Sequence, residues 1–303
     1  MRIIAGVSGG ADSICMLHKL ARGELEDWRG CEVVAAHFDH RLRANSGADA
    51  LFVRETCDKL GVECRVRSED VQAYAHEHKI STETAGRLLR YEFFVEIARE
   101  NGGIIATAHN ANDSAESVIM HLLRGSGRAG LCGIRSRELA GTRVVRPIID
   151  MPRAEIEEYC RENSIEYLRD ETNDDTQFFR NKVRHEIMPI IYENAGLEAL
   201  GRASGILREE EDFLRAEVAR LMCENVREGE FSANWFNSLH KAIKRRVLQM
   251  LIKPSTERTI QLERVDACIE MIAKNYGGKI IEMPDGFRVS LRKGMVRVDN
   301  CDR

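Results

Sequence analysis

The chain has 303 residues, 43% of them apolar and 31% charged, with nine cysteines and a formal net charge of −4 at pH 7. That length is enough for about two domains, and no apolar run approaches the roughly 20 residues of a membrane span. The charge excludes a globally basic nucleic-acid binder, and isolated cysteines with no Cys-x-x-Cys pair, the closest being Cys57 and Cys64, exclude a disulfide frame or a paired-ligand metal site and point to reduced core thiols.

Residues 2–7 read as a buried strand that begins almost at the N-terminus and leaves no room for a leader, so a cytoplasmic, membrane-free protein is expected. Ser8-Gly9-Gly10-Ala11-Asp12-Ser13 and the apolar-periodic residues 14–20 continue it as tight loop and helix. Two glycines permit positive φ and close approach of a ligand, and the N–H groups and dipole of the next helix favour a polyanion. Ser8 and Ser13 add hydroxyls, and Asp12 adds a hard oxygen suited to Mg²⁺. The loop has no Walker lysine after Gly10 and lacks the three spaced glycines of a dinucleotide fingerprint. An ordinary glycine-rich βα turn is the plain alternative. Ser-Gly-Gly-x-Asp-Ser resembles instead the PP-loop of the N-type ATP pyrophosphatases, a resemblance that implies cleavage of ATP to AMP and pyrophosphate with adenylation of a substrate oxygen.

Residues 32–38 form a second strand that runs into a polar cluster, His37, Asp39 and His40, where α/β sheets gather ligands; the cluster is too short to fill a zinc site alone. A helix over 46–60, capped by Gly61, leads to a third strand at 62–66. A longer helix over 82–101 places Arg87 and Arg90 on one face, and 103–108 is a fourth strand. The alternation of strand and helix predicts an α/β fold with a doubly wound, Rossmann-like parallel sheet. His109-Asn110-Ala111-Asn112-Asp113-Ser114-Ala115-Glu116 then opens a helix with Asp113 and Glu116 three apart on one face, at the same sheet edge as the loop. Acids in a first helical turn can also be plain dipole complements.

Gly125, Gly127 and Gly130 match a dinucleotide pattern but end a helix, so they are read as a flexible loop able to close over a phosphate-rich substrate. The window 124–146 carries six arginines, among them Arg124, Arg128, Arg137 and Arg146, against Glu138 alone. A strand is expected at 143–149 and a helix at 152–163. The polar run 170–175 and the four-residue spacing of Arg180 and Arg184 indicate a structured loop and a phosphate or carboxylate clamp, with surface ion pairing as the alternative. Helices are expected over 197–225, 233–251 and 259–275, with Lys241, Lys244, Arg245, Arg246 and Lys253 making a basic face suited to RNA backbone. Residues 279–283, 287–291 and 295–298 alternate around turns as a terminal hairpin.

Taken in order, the loop, His-x-Asp-His-x-Leu-Arg, Arg-x-x-Arg-Tyr, His-x-x-x-Asp-x-x-Glu, Leu-Arg-Gly-Ser-Gly, Arg-Pro and Arg-Asn-x-x-Arg resemble the tRNA(Ile)-lysidine synthetases over residues 1–190. The resemblance implies that ATP adenylates C2 of the first anticodon cytidine of a tRNA(Ile) with a CAU anticodon, and that lysine displaces AMP to give lysidine, switching codon reading from AUG to AUA. It assigns ATP to Ser8, Gly9, Gly10, Ala11, Asp12 and Ser13 with His37 and Asp39, and Mg²⁺ to Asp12. Lysine falls to Asp113 and Glu116 with His109, and neutralisation of phosphates to Arg90 and Arg180. tRNA contacts fall to Arg124, Arg128, Arg184, Lys244 and Arg245. It implies a catalytic domain over 1–192, a helical tRNA-binding domain over 193–303, absence of the further C-terminal domain of longer relatives, and leaves room for a homodimer. The chain departs from the family pattern at Asn110 and Asn112, where a second histidine and an Asp-Asp pair are usual, and at Glu171, where proline is common. The rival readings are a PP-loop tRNA thiolase, which would want cysteines near the loop where Cys15 faces inward, another adenylating ligase, and a dead nucleotide-binding module.

Overall fold

The computed structural model describes residues 1–42, 46–168, 179–252 and 261–300; the polar run 170–175, Glu171 and Lys253 lie outside them. The chain divides into two compact units, Met1–Leu207 and Arg208–Arg303. Residues just past 192 stay with the first unit because Leu197 and Leu200 pack with Ala115, Ile119, Val183 and Met188.

Unit one is built on a six-stranded sheet. Its strands are β1 (Arg2–Gly6), β2 (Glu32–Asp39), β3 (Glu63–Ser68), β4 (Gly103–Thr107), β5 (Arg137–Leu139) and β6 (Thr142–Val145), in the order β3-β2-β1-β4-β6-β5. All neighbours pair in parallel except β5 with β6, and β1 sits between β2 and β4 with Arg2 opposite both Glu32 and Gly103. One face carries α1 (Ala11–Ala21), α2 (Ser46–Leu60) and α7 (Arg153–Glu162), whose Ile14, Leu17, Val53, Cys57 and Ile156 close over Ile3 and Ala5. The other carries α3 (Val71–His78) and α4 (Thr82–Asn101), with Val71, Ala85, Tyr91 and Phe94 against Ile4, Ile105 and Val144. Burial on both faces explains the near-continuous apolar strands. The order reverses between β1 and β4, so the loops leaving their carboxyl ends border the crevice where such sheets bind ligands.

Three differences from expectation have local causes. Strand β6 ends at Val145, not Ile149, because the chain turns at Arg146-Pro147: Ile149 N–H donates to the Arg146 carbonyl at 3.2 Å, and Ile148 plugs the α1 face. The edge strand β5 is too short to show periodicity, and its turn into β6 runs through Ala140 and Gly141, both at positive φ. Helix α3 was not anticipated; it buries only Val71 and Ala75 and depends on Asp70, whose side chain accepts from Ala73 N–H at 2.9 Å.

Remaining in this unit are α5 (Ala111–Leu123), α6 (Arg128–Leu131), α8 (Phe179–Lys182) and a π-helical turn, Val183–Ile187. Helix α9 (Met188–Asn225) breaks its helical geometry at Gly196, and the unit boundary falls within it. In unit two, β7 (Glu230–Ser232), β8 (Ile280–Glu282), β9 (Phe287–Arg292) and β10 (Met295–Asn300) form an antiparallel sheet ordered β7-β10-β9-β8. The expected segments at 279–283, 287–291 and 295–298 are thus β8, β9 and β10, with Lys293 and Gly294 at positive φ in the β9–β10 turn, and β7 is the one strand added to them. The helix expected over 233–251 is two, α10 (Ala233–Ser238) and α11 (Lys241–Leu251), because Leu239 is extended and His240 caps α11. Helix α12 (Leu262–Ala273) packs with them over Phe231, Phe236, Leu248 and Val296.

Two histidines at the carboxyl edge give unit one a pH signature. Burial, then Arg90, pushes His40 down to about 4, and burial, then Arg146, pushes His109 down to about 3. The unfolded chain binds these protons near pH 6.5 and the native chain does not, so their contribution is intact above pH 6.5 and is lost on acidification toward pH 4. Denaturant melts should show stability falling by about 1.4 kcal/mol per pH unit for each histidine in that window. His40→Gln should flatten the fall, and an unchanged slope would refute the assignment.

Candidate functional site

The first loop is held open from inside. Gly9 has φ +94°, and a Cβ there would stand 2.7 Å from Leu168 Cδ1, so a side chain is excluded. Ser13 Oγ accepts from the N–H groups of Ser8 and Gly9 at 3.1 and 3.2 Å and donates to the Gly10 carbonyl at 2.9 Å. Gly10 is the N-cap of α1, so Ala11 and Asp12 present the first turn of a helix to the crevice.

Asp12 is not idle. Its Oδ1 accepts from Asn110 Nδ2 at 2.9 Å and its Oδ2 from Arg153 Nη1 at 2.6 Å. Burial pushes its pKa up, against Arg153 and Asn110, which pull it down. The asparagines that break the family pattern are joints. Asn110 caps α5 in a reciprocal box, its Oδ1 accepting from Asp113 N–H at 3.0 Å and its own N–H donating to Asp113 Oδ2 at 3.1 Å. Asn112 accepts from Arg153 N–H at 2.8 Å and donates to the Tyr192 hydroxyl at 2.9 Å.

Asp113 and Glu116 do share a face, and the structure brings Arg180 and Arg184 onto them. Arg180 Nη2 donates to Asp113 Oδ1 at 2.5 Å and its Nε to Glu116 Oε2 at 3.1 Å. Arg184 Nε donates to Glu116 Oε1 at 2.6 Å, and its Nη2 reaches Glu116 Oε2 at 3.0 Å and Asp113 Oδ1 at 3.4 Å. The carboxylates are enclosed, with side-chain exposures of 14% and 3%, while the arginines stay 45% and 34% exposed. Two buried acids on one helix face require cations, and two forked guanidiniums satisfy them. The dipole reading holds for half of Asp113, whose Oδ2 serves the cap.

His109 stands beside this group, its Nδ1 3.0 Å from Thr107 Oγ1. His37 donates from Nδ1 to the Val7 carbonyl at 2.9 Å, leaving its Nε2 buried with no partner. Asp39 is spent locally: its oxygens accept from Arg41 N–H at 2.9 Å and Ser68 Oγ at 2.8 Å, tying β2 to β3. Arg90 packs its guanidinium near the Tyr91 ring, at 5.9 Å, and Arg124 near Phe179, at 5.3 Å. Arg128 lies in the short helix α6, where its carbonyl accepts from Cys132. In unit two, Lys244 Nζ donates to the Asn237 carbonyl at 2.9 Å, and Arg245 makes a bidentate pair with Asp266 at 2.8 and 2.6 Å. Among the described residues no group of three or more His, Cys, Asp or Glu could hold a metal, and no helix is long and apolar enough to cross a membrane.

Residues 1–191 match the family described as the PP-loop domain. The chain belongs to the PP-loop family. It is 33% identical over 311 residues to the tRNA(Ile)-lysidine synthase of Clostridioides difficile, covering 99% of this chain and 66% of that one. It is 34% identical over 297 residues to the tRNA(Ile)-lysidine synthase of Clostridium acetobutylicum, covering 95% and 63%. The chain thus spans just under two thirds of the length of these curated relatives. Among solved structures it is similar to the U34-tRNA thiolase of Methanococcus maripaludis, with a TM-score of 0.55 and 17% identity over 69% of this chain and 72% of that one, a likeness of fold.

Against the PP-loop, the residue that sequence reasoning missed is Arg153. Its one signature is a cation in the first turn of a helix, opposed to the dipole, which marks a side chain employed elsewhere. Here it bridges Asp12 and Glu157.

Proposed function

We propose that this chain is the PP-loop part of a lysine ligase acting on tRNA, joining lysine to C2 of the first anticodon cytidine of tRNA(Ile) through an adenylated intermediate. One observation carries it: a phosphate cradle, Ser8 to Ser13, shares its sheet edge with a pair of enclosed carboxylates, Asp113 and Glu116, that already hold cations. The similarity to two tRNA(Ile)-lysidine synthases over nearly the whole chain supports the substrates.

In this reading the cytidine C2 oxygen attacks the α-phosphate of ATP and pyrophosphate leaves. The amine of lysine then attacks C2, forming the C–N bond as AMP leaves with the oxygen. The N–H groups of the first turn of α1 and its dipole hold the triphosphate, since those of Ser8 and Gly9 are taken by Ser13 Oγ. Asp12 is the residue at the loop that would hold Mg²⁺, through the Oδ1 that only the neutral Asn110 amide occupies while Oδ2 stays with Arg153, and such an ion takes one or two carboxylates and completes its shell with phosphate and water. When bound, Mg²⁺ would neutralise charge on the departing pyrophosphate. Lysine's cationic end takes the place of a guanidinium at Asp113 and Glu116, and the freed Arg180 and Arg184 turn to phosphate. His109 beside them stays neutral, because burial and the surrounding arginines keep a proton off it.

The thiolase reading is disfavoured by the thiols. Cys15 and Cys160, on α1 and α7 behind the loop, are 0% and 1% exposed, and the neighbouring Cys160 thiol, then burial, pushes the Cys15 thiol up. Labelled lysine, ATP and total bacterial tRNA should give acid-stable label in RNA that depends on all three components. Label absent from RNA, with pyrophosphate still released in the presence of another acceptor, would refute the ligase reading.

A further inference from the structure

A second group of cations lies on the face of the sheet opposite the one that α1 covers. The guanidinium carbons of Arg87, Arg90 and Arg137 stand 5.1, 5.9 and 5.2 Å from the centre of the Tyr91 ring. Arg137 pairs across the sheet edge with Val144, which belongs to the Tyr91 cluster, so the two share a face; Arg146, just past the end of β6, folds its guanidinium back to the Val144 carbonyl, where Tyr91, Arg137 and Arg87 all act on its charge. Arg146 is only 9% exposed; its Nη1 donates to the Val144 carbonyl at 2.7 Å, and its Nε is buried with no partner. Among the described residues neither Arg90 nor Arg146 has a carboxylate partner, in contrast with Arg180 and Arg184 next door. Burial pushes both guanidiniums down, and Arg87 acts on each in the same direction. Holding cations desolvated against one another is costly unless an anion joins them.

We propose that Arg90 and Arg146, flanked by Arg87 and Arg137 around Tyr91, form a second phosphate-binding site, distinct from the glycine-rich loop, that takes a backbone phosphodiester of the RNA substrate. This rests on the reading that the chain acts on an RNA. The ligand class follows from the donors: planar guanidiniums match the oxygens of a phosphate in a fork, and the Tyr91 ring gathers Arg87, Arg90 and Arg137 around itself before the ligand arrives. The source follows from position. The loop opens into α1 on one face of the sheet, whereas Arg87 and Arg90 belong to α4 on the other, and Arg146 leaves β6, two strands from β1 and roughly 10 Å along the sheet. A triphosphate seated at the loop has its own donors there. Between the two lies His109, whose proton affinity Arg146, Arg180 and Arg90 all depress. The cluster thus reaches the reacting edge from the side the loop leaves free, where the nucleotide to be modified would be held by its phosphate.

The test uses the full chain, a labelled anticodon stem-loop RNA and a non-hydrolysable ATP analogue, with binding measured separately by anisotropy and calorimetry. Arg146→Gln should weaken RNA binding about tenfold and lower its salt slope by about one, with ATP affinity held within about twofold and Arg146→Lys recovering part of the loss. Arg137→Gln, at a more exposed position, should do the same in smaller measure and keeps the test valid if Arg146→Gln does not fold. RNA affinity unchanged in Arg137→Gln and in folded Arg146→Gln overturns the proposal, as does a parallel loss of ATP affinity, which would give the cluster to the triphosphate. RNA affinity that falls in the variants of a chain unable to incorporate lysine refutes the ligase reading and keeps the site. Unchanged affinity in a chain that does incorporate lysine refutes the site alone.

Discussion

On the proposed function, Asp12→Ala should abolish release of AMP and pyrophosphate while the protein stays folded. The carboxylate is the hard oxygen at the loop, and losing the charge stabilisation a metal provides costs several kcal/mol, a rate loss of about a thousandfold. The fold tolerates the change because Arg153 keeps its second partner, Glu157, at 2.8 Å, and because burial already works against the Asp12 charge. What remains is the Asn110 amide, left without its acceptor, for about 1 kcal/mol of stability. Pyrophosphate release under saturating ATP and tRNA, beside a thermal melt, checks both halves. Undiminished release would remove Asp12 from the reaction, and a collapsed melt would make it a structural bridge between α1, α5 and α7.

The doubly wound sheet was legible because buried strands alternate with helices through residue 108, and the loop was legible because two glycines and two hydroxyls between a strand and a helix suit a phosphate better than an ordinary βα turn. What was not legible were pairings between distant elements. Nothing in a linear reading sets Arg180 and Arg184 against Asp113 and Glu116 rather than against a phosphate, since both choices satisfy a guanidinium. The same blindness affects the basic helix in unit two. Lys241, Arg245 and Arg246 look like one cationic face, yet Asp266 takes the first two and Glu211 the third. The asparagines at 110 and 112 read as losses to a binding motif and are instead the cap and the tie of the helix carrying that motif. Arg146 reads as charge and as the Arg-Pro motif but not as a buried cation, because the strand expected at 143–149 runs past the turn that buries it.

On the proposed function, Glu116→Gln should raise the lysine requirement far more than the requirement for ATP or tRNA. In the structure Glu116 is the more enclosed acid and takes three of the five guanidinium contacts in the group. A lysine ammonium that replaces a guanidinium there loses its best counter-ion in the variant. Removing one partner of a desolvated pair costs about 2–5 kcal/mol, roughly 30- to 5,000-fold in lysine affinity. Asp113→Asn should cost less, because only Oδ1 faces the cations and the amide can still accept from Asn110 N–H. Adenylation should suffer least, since on this reading its charges are phosphates served by the loop and by Arg180 and Arg184, which the variant releases into water they already half reach. Lysine incorporation across a range of lysine concentrations, beside lysine-independent trapping of adenylated tRNA, separates the two half-reactions. An unchanged lysine dependence in both variants would reduce Asp113 and Glu116 to anchors for the helix that carries Arg180. Loss of adenylation together with lysine binding would instead mean that the four-residue ion group orders the ATP side of the crevice as well, because a guanidinium without its carboxylate then no longer points to the phosphate.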